Sequence, residues 1–326
     1  MIKRRAFIAG LGSAAVWPLT ARTQQPAIPV IGLLMSTSRE ANLGRLAAFR
    51  EGLSKTGYVE MRNVAIEYRS ADGQYERLPA LAAELLRRHV NVIVAGPGIP
   101  AALAAKSATT TIPVVFQSGF DPVETGLVAN LAQPGGNMTG VTNLDAKLGP
   151  KQLEILHELI PMATSIALLV NPANPATETA FEDMQVAAQT LGLQLHLVHA
   201  STDSDLDMVF ATLIQSPAGG LVIGPDPFFG TRIERLAALA TRYAVPTIYR
   251  PDFAAAGGLI GLGAPDAEQW RLVGTYTGRI LKGDKPGNLP VQQSTRVDLT
   301  INMKAAKALG LTVPAAMLSR ADKVIE

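Results

Sequence analysis

Five short polar loops hold the side chains with which this chain could do chemistry: Ser36-Thr37-Ser38, Gly96-Pro97-Gly98, Ser118-Gly119-Phe120-Asp121, Asn171 with Asn174, and Gly224-Pro225-Asp226. Hydroxyls and the free N–H groups of helix starts suit a small carboxylate, and an acid such as Asp226 suits an ammonium. Ser36, Ser38, Asp121 and Asp226 have a second role open to them as helix N-caps, contributing ~1 kcal/mol each. Recognition is therefore the chemistry on offer, because the patterns that reacting sites need are missing. A dinucleotide site requires Gly-x-Gly-x-x-Gly after the first strand, since only glycine lets the backbone approach a pyrophosphate. Here that loop reads Ser36-Thr37-Ser38-Arg39-Glu40. Past the N-terminal segment there is no Gly-x-x-x-x-Gly-Lys-Ser/Thr loop, no Gly-x-Ser-x-Gly elbow and no His-Glu-x-x-His helix.

The histidines are His89, His157, His196 and His199. His196 and His199 stand three apart on a predicted strand, so their rings face opposite sides and cannot chelate one ion. His89 closes a predicted helix, where the C-terminal dipole suits it. Cysteine is absent, which excludes disulfides, thiolate zinc sites, a cysteine nucleophile and a lipid-modified N-terminal cysteine. No catalytic residue, metal ligand or cofactor is expected.

The elements that must position these loops alternate β-rich runs with Ala/Leu-rich stretches, the pattern of βα units around parallel sheets. Strands are predicted at Val30 to Met35, Val64 to Tyr68, Val92 to Ala95, Pro113 to Gln117 and Gly140 to Thr142, with helices at Ala41 to Lys55, Tyr75 to His89 and Ile99 to Ser107. The series then restarts with strands at Ile166 to Val170, Gln194 to Val198, Gly220 to Ile223 and Pro246 to Tyr249. Val92-Ile93-Val94-Ala95-Gly96-Pro97 corresponds to Leu221-Val222-Ile223-Gly224-Pro225, and Ile112-Pro113-Val114-Val115-Phe116 to Val245-Pro246-Thr247-Ile248-Tyr249. A repeat of this kind predicts two similar lobes. A strand at Leu259 to Leu262, a helix at Asp266 to Leu281 and a strand at Arg296 to Ile301 follow. Crossings between lobes are expected near Thr142 to Lys147, where Thr142 and Asn143 join the candidate site, near Gly261 to Pro265, and at Gly283 to Asn288. The expected division is 28–143 plus 265–284 for lobe 1 and 146–262 plus 288–326 for lobe 2.

At 326 residues, 48% apolar and 17% charged, the chain has ample core material and too little charge for disorder. Setting aside Lys3, Arg4, Arg5 and Arg22 leaves 25 basic against 27 acidic residues, so no polybasic footprint for nucleic acid remains. Those four lie in a segment with the anatomy of a secretory signal: a basic start, an apolar stretch from Ala6 to Trp17, and Ala21 and Thr23 before the cleavage expected after residue 23. Arg4-Arg5 followed by Phe7-Ile8 resembles a twin-arginine signal, departing from it at Lys3 and Ala9. Later apolar runs are too short to span a bilayer. A free-floating, monomeric periplasmic protein is expected.

The block Phe116-Gln117-Ser118-Gly119-Phe120-Asp121-Pro122-Val123 through Pro134-Gly135-Gly136-Asn137-Met138-Thr139-Gly140 resembles the ABC-transporter substrate-binding family that includes tryptophan- and tyrosine-type uptake proteins. Asn171-Pro172-Ala173-Asn174-Pro175, Ile248-Tyr249-Arg250 and Ala305-Ala306-Lys307-Ala308-Leu309-Gly310-Leu311 are similar to its later blocks. The resemblance implies an α/β fold of two Rossmann-like lobes on a three-segment hinge, the type I periplasmic binding protein, with no catalysis and an inner-membrane ABC permease as partner. It also implies Asp226 on a ligand ammonium and Ser36, Thr37 and Ser118 on the carboxylate. Phe120, Phe228, Phe229 and Tyr249 are candidate walls for an aromatic or branched side chain, with lobe core the alternative for Phe228 and Phe229. A ligand-sensing module for a membrane receptor and a two-lobed enzyme are the rival readings.

Overall fold

The computed structural model describes residues 28–143 and 145–326; the signal expected over residues 1–23 lies outside them. The first series of strands is β1 (Val30–Met35), β2 (Ala65–Ser70), β3 (Val92–Ala95), β4 (Val114–Ser118) and β5 (Met138–Thr142). The second is β6 (Ser165–Val170), β7 (Gln194–His199), β8 (Leu221–Ile223), β9 (Thr247–Tyr249) and β10 (Ile260–Gly263). Three short strands follow, β11 (Gln292–Gln293), β12 (Asp298–Asn302) and β13 (Lys323–Ile325). One sheet runs β11-β5-β4-β3-β1-β2, and the other β13-β12-β10-β9-β8-β6-β7. The first is parallel throughout; in the second only β10 and β12 pair antiparallel.

The repeat read in the sequence is present in space. Each series lays its first five strands in the same order, second-first-third-fourth-fifth. The matched segments are β3 with β8 and β4 with β9, the third and fourth strands of each. Every residue of β3 is buried, as expected for a parallel sheet covered on both faces. In this topology ligands bind beyond the carboxyl ends of the strands, where the order reverses. Those ends are β1 and β3 in one lobe and β6 and β8 in the other.

The chain leaves the first sheet after β5, returns after β10, and leaves again between β11 and β12. The third crossing thus falls at 294–297, not at Gly283 to Asn288, because Gln292 and Gln293 pair with Val141 and Thr142 and hold the chain to the first sheet. The helix Gly149–Leu159, absent from the elements predicted above, opens the second lobe and buries Leu153, Leu156 and Leu159. The helix Asp266–Leu281 returns to the first lobe and lies along the helix Leu43–Ser54, with Trp270, Val273 and Tyr276 in the core beneath β1 and β3. No helix among the described residues is long and apolar enough to cross a membrane.

Candidate functional site

The carboxyl ends of the two sheets face one another across a cleft with about 630 Å³ of atom-free space, part of it continuous with solvent. The first lobe contributes Gly98, Gln117, Gly119 and Phe120; the second contributes Pro225, Asp226, Tyr249 and Arg250. Asn143 and Asp145 come from the first crossing and Asp266 from the second. A second chamber of about 420 Å³ opens into the second lobe behind Phe120, Gln152, Pro225 and Asp226, which line both spaces. Its far wall is apolar: Leu168, Val170, Met184, Val222 and Phe229.

The lobes touch. Asp226, at the end of β8, is buried at 7% exposure. Its Oδ1 accepts from Tyr75 Oη of the other lobe at 2.9 Å, from Asn171 Nδ2 at 3.0 Å and from the Phe228 amide at 2.8 Å, while Oδ2 accepts from Asn174 Nδ2 at 2.8 Å. The Phe228 amide also donates to Tyr75 Oη. Burial raises the Asp226 pKa, and the hydrogen bonds from Asn171, Asn174 and Tyr75 offset only part of the rise. Nearby, Gly98 takes φ +80°, and a Cβ there would stand 2.5 Å from Pro227 Cγ of the second lobe. Only glycine allows both that backbone angle and that approach.

A charged cluster spans the hinge. Arg45 of the first lobe donates to Asp266 Oδ2 at 2.6 Å, and Arg250 of the second lobe stands 3.3 Å from the same oxygen. Burial alone would raise the Asp266 carboxyl; the two guanidinium charges outweigh it, and its pKa lies below the usual range. Asp145 is the second acid of the cleft. Its Oδ2 accepts from Asn143 Nδ2 at 2.7 Å, whereas Oδ1, shielded from solvent, has no hydrogen-bond partner. Burial raises its pKa to about 6, with Arg250 opposing and Asp266 adding to the rise.

Of the residues expected at the site, Gly98, Phe120, Asn143, Asp226 and Tyr249 line the cleft, and Asn171, Asn174, Phe229 and again Phe120 and Asp226 line the chamber behind it. Ser36, Thr37, Ser38, Gly96, Ser118, Asp121, Thr142 and Phe228 line neither. Local bonding explains most of these. Thr37 Oγ1 accepts from Asn42 Nδ2, Ser38 Oγ from the Ala41 amide, and Ser118 Oγ from the Phe120 amide. Asp121 caps Val123 and Glu124, and Thr142 Oγ1 donates to the Phe120 carbonyl. Phe228 is core, set edge-on to Phe229 with Arg232 over its ring. Ser36 Oγ is buried without a partner. Ser36→Ala is therefore expected to leave the urea midpoint unchanged or higher, since an unsatisfied buried hydroxyl opposes folding; a lowered midpoint would show the hydroxyl bonded in the free fold, and weakened ligand binding would assign it a bond formed on binding.

Arg45, Gln117, Gln152, Asp145, Arg250 and Asp266 were not anticipated. Gln117 and Arg250 carried a signal, each standing at the carboxyl end of a predicted strand. Arg45 and Gln152 lie within helices and carried none.

Two sheets of like topology, joined by three crossings and enclosing one cleft at their switch points, define a two-lobed solute-binding protein of the type I periplasmic fold. Residues 27–325 match the family described as ABC transporter substrate binding protein, and the chain belongs to it. It is 24% identical over 264 residues, 81% of its length and 75% of the relative's, to a tyrosine-binding protein of Clostridioides difficile (strain R20291). A conserved domain protein from Vibrio cholerae superposes with a TM-score of 0.83 at 28% identity, over 91% of this chain and 99% of that one. The ABC domain in complex with L-Trp from Streptococcus pneumoniae superposes at 0.79 with 24% identity, over 90% of this chain and 100% of that one. The family binds solutes and is not one of enzymes.

Proposed function

We propose that this protein is the exported, periplasmic solute-binding component of an ABC importer and that it closes its lobes around an α-amino acid with an aromatic or branched side chain. The observation that carries the reading is the pairing of a charged cleft with an apolar chamber behind it. Arg45 and Arg250 meet at Asp266, with Asp252 and Asp145 beside them, so the cleft presents both signs of charge that a zwitterion needs, and the two guanidiniums are the groups open to a ligand carboxylate. The chamber walls of Leu168, Val170, Met184, Val222 and Phe229 suit an apolar side chain. Relatives named for tyrosine and L-Trp support the same class. Affinity comes from burying each charged end only where it finds a partner, since an unpaired buried charge is far more costly than a hydrogen bond is favourable. Ligand shifts the equilibrium toward the closed form, which an inner-membrane permease can read.

A thermal-shift panel of L-Trp, L-Tyr, L-Phe, L-Leu, glycine and myo-inositol tests this. A ligand at a hundred times its Kd stabilises the fold by ~2.7 kcal/mol, raising Tm by roughly 5–10 °C for lobes of this size. The larger apolar amino acids are expected to do so and glycine is not; stabilisation by myo-inositol alone would overturn the amino-acid reading. Uptake of the labelled amino acid, lost on deletion of the gene, separates transport from sensing.

A further inference from the structure

We infer that Asp145, on the first hinge crossing, receives the ammonium group of the ligand, and that Asp226, the acid expected there from the family resemblance, is instead the latch between the lobes. The inference rests on the proposed amino-acid ligand. Four protein donors already converge on the Asp226 carboxylate, one of them Tyr75 from the opposite lobe. Three of them crowd Oδ1 and one sits on Oδ2; with about two lone-pair sites per oxygen, Oδ1 is filled and Asp226 is already stabilised by the protein before any ligand enters. Asp145 differs in each respect. It lines the cleft, one oxygen is held by Asn143, and the other, shielded from solvent, makes no well-formed hydrogen bond, with only the Ala264 amide acting on the carboxylate from the backbone. A buried carboxylate oxygen left unbonded is disfavoured, and a cation entering the cleft removes that penalty.

The surroundings of Asp145 fit this role. The groups that act on it are Arg250, Asp266, Asn143 and the Ala264 amide, from both the second lobe and the second crossing. Arg250 is engaged by Asp252 and Asp266, so it does not neutralise Asp145 by a direct ion pair. Asp145 also packs near Gly119 of the first lobe and Gly263 of the second crossing, within 3.6 Å and 3.4 Å of where their Cβ atoms would stand. An ammonium bound here therefore touches the hinge itself, where a small displacement changes the angle between the lobes.

Calorimetry with L-tryptophan and its des-amino analogue, indole-3-propionate, on the full protein and on Asp145→Asn tests the inference. The wild type is expected to bind L-tryptophan at least tenfold more tightly than the analogue, and Asp145→Asn to bind both alike. Only ionised Asp145 holds an ammonium. With its pKa raised to about 6, wild-type affinity for L-tryptophan should be about tenfold weaker at pH 5 than at pH 7.5. Asp226 also titrates from a raised pKa, so the diagnostic is the part of that pH dependence that Asp145→Asn removes. Undiminished affinity in Asp145→Asn overturns the inference, as does wild-type protein that binds the analogue as tightly as the amino acid, while either leaves the cleft a solute site. If none of the amino acids of the panel above binds the wild type, the amino-acid reading falls and takes the inference with it.

Discussion

Asp226→Ala is expected to weaken the binding of any amino acid the cleft accepts by at least tenfold and to lower the melting temperature of the unliganded protein. Hydrogen bonds to charged groups contribute ~1.5–3 kcal/mol each, and donors stranded in a buried site cost their full desolvation. Here one substitution strands the side-chain donors of Asn171, Asn174 and Tyr75 together and leaves the Phe228 amide only its longer bond to Tyr75 Oη. The loss divides in two. Asn171 and Asn174 share the second lobe with Asp226, so their share appears as lost stability. Tyr75 belongs to the first lobe, packed with Leu78 and Ile99, so its share appears as a weaker closed state. Tyr75→Phe separates the two, since it removes only the bonds across the cleft, those of Tyr75 Oη with Asp226 and with the Phe228 amide. It should weaken ligand binding about tenfold, or ~1.4 kcal/mol, raise the radius of gyration of the unliganded protein in small-angle scattering, and leave the melting temperature nearly unchanged. Equal affinity and equal scattering for wild type and Tyr75→Phe would show that these bonds do not govern closure.

The largest expected effect on stability is that of Gly274→Val. Where the helices Leu43–Ser54 and Asp266–Leu281 cross, a Cβ on Gly274 would stand 2.1 Å from the Phe49 carbonyl oxygen, and one on Gly52 would stand 1.9 Å from that of Arg271. Both obstacles are backbone, so neither can swing aside. Overpacking a core costs about 1–3 kcal/mol even where side chains can adjust, and a rigid clash between backbones exceeds that range. Gly274→Val is expected to destabilise the first lobe by ~4 kcal/mol or more, with a fall in Tm of roughly 10 °C. Gly44 is the control, in the partner helix Leu43–Ser54 with nothing within 4 Å of its Cβ position. Gly44→Ala should raise stability by up to ~1 kcal/mol, the usual gain of alanine over glycine in a helix. Chemical denaturation of the two variants checks both signs, and a Gly274→Val protein as stable as wild type would mean the helices can part without cost.

Much of the architecture was legible because it rests on local chemistry. Val92-Ile93-Val94-Ala95 and Leu221-Val222-Ile223 are apolar enough to require burial on both faces, and their shared position in two series announced the repeat. Gly98 and Asp226 could be placed at the cleft because both follow directly from such strands. The third crossing was misplaced because Lys282-Gly283-Asp284-Lys285-Pro286-Gly287-Asn288 reads as a linker, while the two-residue strand that ties the chain back, Gln292–Gln293, has no hydrophobic pattern and exists only through its bonds to β5.

By itself, then, the order of residues determined the two βα series, the loops at the strand ends, and a chemistry limited to recognition, since all three follow from periodicity and residue type within a few neighbours. The tertiary structure decided which polar groups are spent on the protein and which face the cleft. Ser118 and Thr37 hydroxyls were claimed by their own turns, and Asp226 by Tyr75, 151 positions away. Arg45, Asp145, Arg250 and Asp266, distant in the chain, were gathered at one hinge. Whether a polar atom is satisfied depends on partners brought near by folding, and that information is not carried by any one segment.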